Sequence, residues 1–128
     1  MGAGAPIPPN EIERLKEVAK FCPADSEYDT VFDKIVEMAS AYFNAPIALI
    51  SIVDEHQQWF KARVGLKETQ TPREVSFCAY STLDNAPLEV LDATLDPRFK
   101  DNSLVTGPPY IRYYTGTPLI TEEGFTLG

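Results

Sequence analysis

Residues 47–64 decide the fold: Ile-Ala-Leu-Ile-Ser-Ile-Val (47–53), Asp-Glu-His-Gln (54–57) and Gln-Trp-Phe-Lys-Ala-Arg-Val (58–64). The first run is apolar except for Ser51 and rich in β-branched residues. That predicts a strand covered on both faces. The four polar residues predict a turn. The second run alternates, with Phe60, Ala62 and Val64 directed one way and Trp59, Lys61 and Arg63 the other. It reads as the hairpin partner, with one more polar face. Gly65 ends it.

Upstream, Asn10 and Glu13 have the spacing of a capping box. Ile12, Leu15, Ala19 and Cys22 then form one helical stripe, ended by Pro23. A second helix starts from Asp29 as N-cap. Phe32, Ile35, Val36, Ala39, Tyr42 and Phe43 make its broad apolar face, and Asn44 and Pro46 stop it. Residues 1–10 hold Pro6, Pro8 and Pro9 and lack a basic or apolar leader region, so they read as a disordered tail, not a signal peptide.

Downstream, residues 66–75 are polar and read as a loop. Val75–Leu83 predicts a short helix with Phe77, Tyr80 and Leu83 on one side, and Leu88–Leu91 a short strand. Residues 92–109 form a loop long enough to expect a functional role. Ile111–Thr121 reads as a strand kinked at Gly116 and Pro118. Glu122-Glu123-Gly124 is a hairpin turn, and Phe125–Gly128 begins one more strand. Two helices followed by strands joined through turns predict an α+β fold with an antiparallel sheet.

Composition narrows the function. The 128 residues suffice for one core, and 23% charged residues argue against wholesale disorder. The longest apolar run, residues 45–53, is far too short to cross a membrane. A net charge of −8, with no three basic residues together, argues against a nucleic-acid partner and fits a cytoplasmic domain. One histidine and two distant cysteines, Cys22 and Cys78, do not make a structural zinc site, and nothing secretory supports a disulfide between them.

The segments 47–54, 58–66 and Thr71-Pro-Arg-Glu-Val-Ser-Phe-Cys78 together resemble the GAF domain, in the branch found in bacterial sensor histidine kinases and diguanylate cyclases. Asp92, Asp96-Pro-Arg-Phe99, Asp101-Asn102, residues 105–109 and residues 111–119 continue the pattern in order, so the resemblance spans about residues 11–128. It implies a GAF-like (profilin-like, PAS-like) α+β fold: a central antiparallel sheet, helices on one face and roofing loops over a pocket on the other. It also implies a regulatory sensor module that binds a small molecule or transmits a conformational signal, pairs as a homodimer, and controls an output domain such as a histidine kinase or diguanylate cyclase. The ligand is left unnamed. Two positions depart from the pattern. Tyr80 stands where branch members often carry histidine. Gly128 is the last residue, where family domains run on into another strand. The resemblance therefore predicts a domain one strand short, marginally stable and with unpaired strand edges.

The chemistry-bearing residues support no catalytic set. Cys78 reads either as a redox thiol or tetrapyrrole tether, or as a small buried residue. Ala79 stands where bilin-binding relatives carry histidine, and Cys22 with Cys78 does not reproduce the cysteine set of GAF-type methionine sulfoxide reductases. The motif of cyclic-nucleotide GAF domains is also missing. His56, beside Asp54 and Glu55, reads as a solvated turn, as does Glu122–Glu123. Neither a Gly-rich phosphate loop nor a G-x-S-x-G elbow is present. The expected ligand-binding residues are Phe77, Cys78, Tyr80, Arg98, Phe99, Asn102 and Tyr113, with one of Tyr113 and Tyr114 facing inward. Arg98 has the alternative of pairing with Asp96 or Asp101, and Phe99 of plugging the core. Trp59 is expected to cover the sheet under a helix or to meet a partner, and helix 11–22 to meet a second subunit or to pack its apolar stripe on its own sheet. The expected function is the sensor module; a Cys78 redox switch and a structural dimerisation domain are the alternatives.

Overall fold

The computed structural model describes residues 4–21 and 30–128. Cys22, Pro23 and Asp29 lie outside the described residues. The helices are α1 (Glu11–Phe21), α2 (Thr30–Phe43), α3 (Ser81–Asp84) and α4 (Ser103–Thr106). The strands are β1 (Ala48–Val53), β2 (Gln57–Val64), β3 (Gln70–Pro72), β4 (Leu88–Val90) and β5 (Tyr114–Gly116). Strands β1, β2 and β3 form one antiparallel sheet in that order, and β4 pairs antiparallel with β5. The fold is α+β: α1 covers the sheet face that carries Ile52, and loops with the short helix α4 lie on the side that carries Ser51.

The central hairpin forms where the sequence places it, but with a bulge. Ile50 pairs with Ala62 and Ser51 with Phe60, so Lys61 is an extra residue. The bulge breaks the alternation expected across residues 59–64. Trp59 pairs with Ile52, and Phe60 lies beside Ser51 on the opposite face. Trp59 packs against Val18, Ile52 and Leu127, covering the sheet beneath α1.

Helix α2 packs on β1 and β2. It ends as expected at Asn44, whose left-handed φ of 51° follows an Ala45 N–H to Ser40 C=O bond of 2.9 Å. Helix α1 forms, but its expected stripe is not its buried face. Arg14 and Val18 are buried, while Ile12 is 70% exposed. The reason is electrostatic. Arg14 Nη1 donates to the carbonyls of Val53 (2.8 Å) and Thr126 (3.2 Å), and its Nε donates to Glu11 Oε1 (2.8 Å). Arg73 Nη1 donates to the same Glu11 carboxylate and to the Asp54 carbonyl (3.1 Å). Burial pushes the Glu11 carboxyl up, but the hydrogen bonds and charges of Arg14 and Arg73 outweigh it and hold the group below its usual range.

Three other segments differ from the sequence reading. β3 lies in the expected loop, because its polar residues pair through backbone with Gln57–Trp59. The helix expected over Val75–Leu83 is divided into 3-10 turns at Arg73–Val75 and Cys78–Tyr80, followed by α3. The strand expected over Ile111–Thr121 is regular only at Tyr114–Gly116. Ile111 N–H bonds to the Leu104 carbonyl instead, and the Arg112 carbonyl accepts from Ala93. The hairpin turn at residues 122–124 forms: Thr121 N–H donates to the Phe125 carbonyl (2.9 Å) and Ile120 bridges Thr126. Beyond it, Val53 N–H donates to the Leu127 carbonyl (2.8 Å), and Leu127 and Gly128 bond to Leu119. The chain after the turn thus lies between β1 and residue 119. Within residues 4–10, expected as a tail, Gly4 lies against the Glu74 backbone and Pro8 is buried.

Candidate functional site

The face of β1 opposite α1 carries Ser51. The 3-10 turn at 78–80 and β5 bring two further polar atoms to it. Ser51 Oγ donates to Cys78 Sγ at 3.2 Å, and Cys78 Sγ lies 3.1 Å from the Tyr114 hydroxyl. These three form a short polar line across the loop-covered side. Gly116 makes room for it: a Cβ there would stand 2.4 Å from the Tyr114 hydroxyl. Burial first, then the charge and hydrogen bond of Cys78, hold the Tyr114 phenol far above its usual value.

Aromatic rings adjoin the line at Tyr114. Phe77 stacks on Phe99 with centroids 4.0 Å apart, Tyr114 lies 5.0 Å from Phe77, and Tyr80 meets Phe99 edge-on at 5.0 Å. Val90, Ala93 and Val105 complete this core. Arg98 lies over Tyr80 and Phe99 at 5.6 and 5.1 Å. It forms a two-bond fork on Asp96, at 3.0 and 2.7 Å.

The structure thus brings Phe77, Cys78, Tyr80, Phe99 and Arg98 together. Asn102 stands behind them. Its Oδ1 caps α4 by accepting from Leu104 N–H (2.8 Å), and its Nδ2 donates to the Val75 carbonyl (3.1 Å). Tyr113 points away: it is 55% exposed and donates to Glu89 Oε2 at 2.6 Å. The inward tyrosine is Tyr114. Ser51 had no signal in the sequence beyond being the one polar residue in an apolar strand.

The two side chains in contact with Cys78 Sγ, Ser51 and Tyr114, are uncharged hydroxyls. Arg73, close in sequence, spends its guanidinium on Glu11 and Asp54. His56 is a solvent-exposed turn residue, 3.8 Å from Glu55. A second feature is an open groove of about 650 Å³ between the end of α1 and the last hairpin, lined by Lys20, Phe21, residues 118–123 and Leu127. None of the ring-cluster residues lines it.

The sequence pattern of the GAF domain matches residues 27–128. The chain belongs to the GAF domain family. A cyclic di-GMP phosphodiesterase of Pseudomonas aeruginosa is 50% identical over 126 residues. That match takes in 98% of this chain and 22% of the relative, so the chain spans about a fifth of the length of that enzyme. Among solved structures, the GAF domain of an Acinetobacter phosphoenolpyruvate-protein phosphotransferase superposes with a TM-score of 0.58 at 12% identity, over 91% of this chain and 72% of that one. A type II free methionine-R-sulfoxide reductase from Thermoplasma acidophilum gives 0.54 at 12% identity, over 79% and 72%. At that identity the two structures speak to the GAF fold alone. Among the described residues, no helix is long and apolar enough to cross a membrane.

Proposed function

We propose that this GAF domain is a regulatory sensor module of a bacterial signalling protein. Its ligand is a small, largely planar molecule held at the Ser51–Cys78–Tyr114 line. The carrying observation is that line itself: two hydroxyls each in contact with the Cys78 thiol, beside the cluster of the Phe77, Tyr80 and Phe99 rings. Few polar atoms among many apolar ones is the composition of a small-molecule site. Such a ligand signals by favouring one arrangement of the loops over another. The output it controls is cyclic di-GMP turnover, a reading supported by the similarity to the Pseudomonas phosphodiesterase. Hydrolysis itself would belong to a part of such a protein other than this domain.

The hydroxyl contacts of Cys78, with no second thiol in contact among the described residues, favour this reading over a redox enzyme. Native mass spectrometry of the purified protein, followed by a thermal-shift screen with small metabolites, tests it. A retained or stabilising small molecule supports the proposal. No bound mass and no shift contradicts it, and rapid alkylation of Cys78 in the folded state would move the reading to the redox switch.

A further inference from the structure

Residues 73–85 are pinned at both ends to a network that finishes on α1. At the front end, Arg73 Nη1 and Nη2 donate to the two oxygens of the Glu11 carboxylate. At the rear end, Asn85 closes α3, and its Oδ1 accepts from the Thr126 hydroxyl. The Thr126 carbonyl accepts from Arg14 (3.2 Å), and Arg14 forks onto the same Glu11 carboxylate. Both anchors therefore converge on one turn of α1.

The segment between the anchors is a relay of tight turns. The Arg73 carbonyl accepts from Ser76 N–H (2.9 Å), and Ser76 Oγ accepts from Ala79 N–H (3.1 Å). The Ala79 carbonyl accepts from Thr82 Oγ1 (2.6 Å), and the Ser81 carbonyl from Asn85 N–H (3.0 Å). Arg73, Ser76, Phe77, Ala79, Ser81 and Thr82 are all buried. Phe77, Cys78 and Tyr80 ride on this segment. A stiff, hydrogen-bonded element carries a displacement at Cys78 to both of its ends.

Each anchor also holds an unfavourable feature. Two guanidiniums share one carboxylate, and Arg73 Nε is buried with no hydrogen-bond partner. Asn85 keeps a left-handed φ of 51° that residues with a Cβ seldom adopt. Release of either anchor relieves its cost, so the seated and released arrangements lie close in free energy.

We propose that residues 73–85 form a strap that couples the Cys78 site to α1, so that seating or releasing the strap changes how firmly Glu11 and Arg14 hold α1 on β1. Its regulatory meaning rests on Cys78 marking the sensor site. The coupling is measured without a ligand, through the rate at which a chromogenic aryl disulfide labels Cys78 in a Cys22→Ser background. Glu11→Gln accelerates labelling about tenfold, although Glu11 does not touch Cys78. Thr126→Val, which removes only the hydroxyl that holds Asn85, accelerates it as well. Val36→Ala destabilises the domain beneath α2, away from the strap, and leaves labelling unchanged. Coupling is reciprocal, so Ser51→Ala, which frees Cys78, speeds amide hydrogen exchange in α1. Labelling unchanged in both Glu11→Gln and Thr126→Val, equal acceleration by Val36→Ala, or α1 amides indifferent to Ser51→Ala overturns the strap. A metabolite screen that finds no ligand overturns the sensor reading alone, because none of these readouts depends on one.

Discussion

The two sides of the sheet are held by different physics. On the helix side, a small apolar group of Val18, Ile52, Leu127 and Trp59 lies beside the buried ion network of Glu11, Arg14 and Arg73. On the loop side, stacked rings lie beside a line of two hydroxyls and a thiol. Buried ion pairs add little net stability but penalise misplacement heavily. Ring packing adds stability and tolerates small shifts. The helix side therefore fixes where α1 and the last hairpin sit on β1, and the loop side is held by apolar packing beside neutral hydroxyls.

The largest test of this contrast is Phe99→Ala. It removes the central ring of the loop-side core and costs about 3–5 kcal/mol in urea unfolding. A cost below about 1 kcal/mol would mean that the rings do not carry that side. Glu11→Gln comes next, at about 3 kcal/mol, because it leaves two arginines without their carboxylate. The same pair gives a pH signature. The folded Glu11 carboxyl lies below its unfolded value, so its contribution is complete above the ordinary glutamate range and disappears as pH falls through the folded value. The urea midpoint of the parent protein should fall more steeply below the ordinary glutamate pKa than that of Glu11→Gln. Parallel curves would break the account of the helix side.

These predictions also mark what the sequence made legible. The β1–β2 hairpin, α1, α2 and the turn at 122–124 were readable, because their apolar periods and turn residues are local signals. Arg14 was not. A charged residue one step from an apolar stripe reads as solvated, and only the carbonyls of Val53 and Thr126, distant in sequence, bury it. β3 was hidden for a related reason: Gln70–Pro72 pairs through backbone, which carries no residue signature. At the candidate site, the rings and Cys78 were legible as residue types. The choice between Tyr113 and Tyr114 depended on where β5 begins, and Ser51 depended on the face it takes in β1.

Smaller effects sharpen the loop side. Gly116→Ala places a methyl on the Tyr114 hydroxyl and costs about 1–3 kcal/mol in urea unfolding. Tyr113→Phe removes only an exposed hydrogen bond to Glu89 and leaves the melting midpoint unchanged. If Tyr113→Phe were the more damaging of the two, the inward role assigned to Tyr114 would be wrong.

The most direct test of the central claim is a thermal-shift titration of a stabilising metabolite against the parent protein, Ser51→Ala, Tyr114→Phe and Tyr113→Phe in parallel. The account predicts that the shift is kept in Tyr113→Phe and lost or strongly reduced in Ser51→Ala and Tyr114→Phe. A shift that survives in both of those variants would place the ligand elsewhere and contradict it.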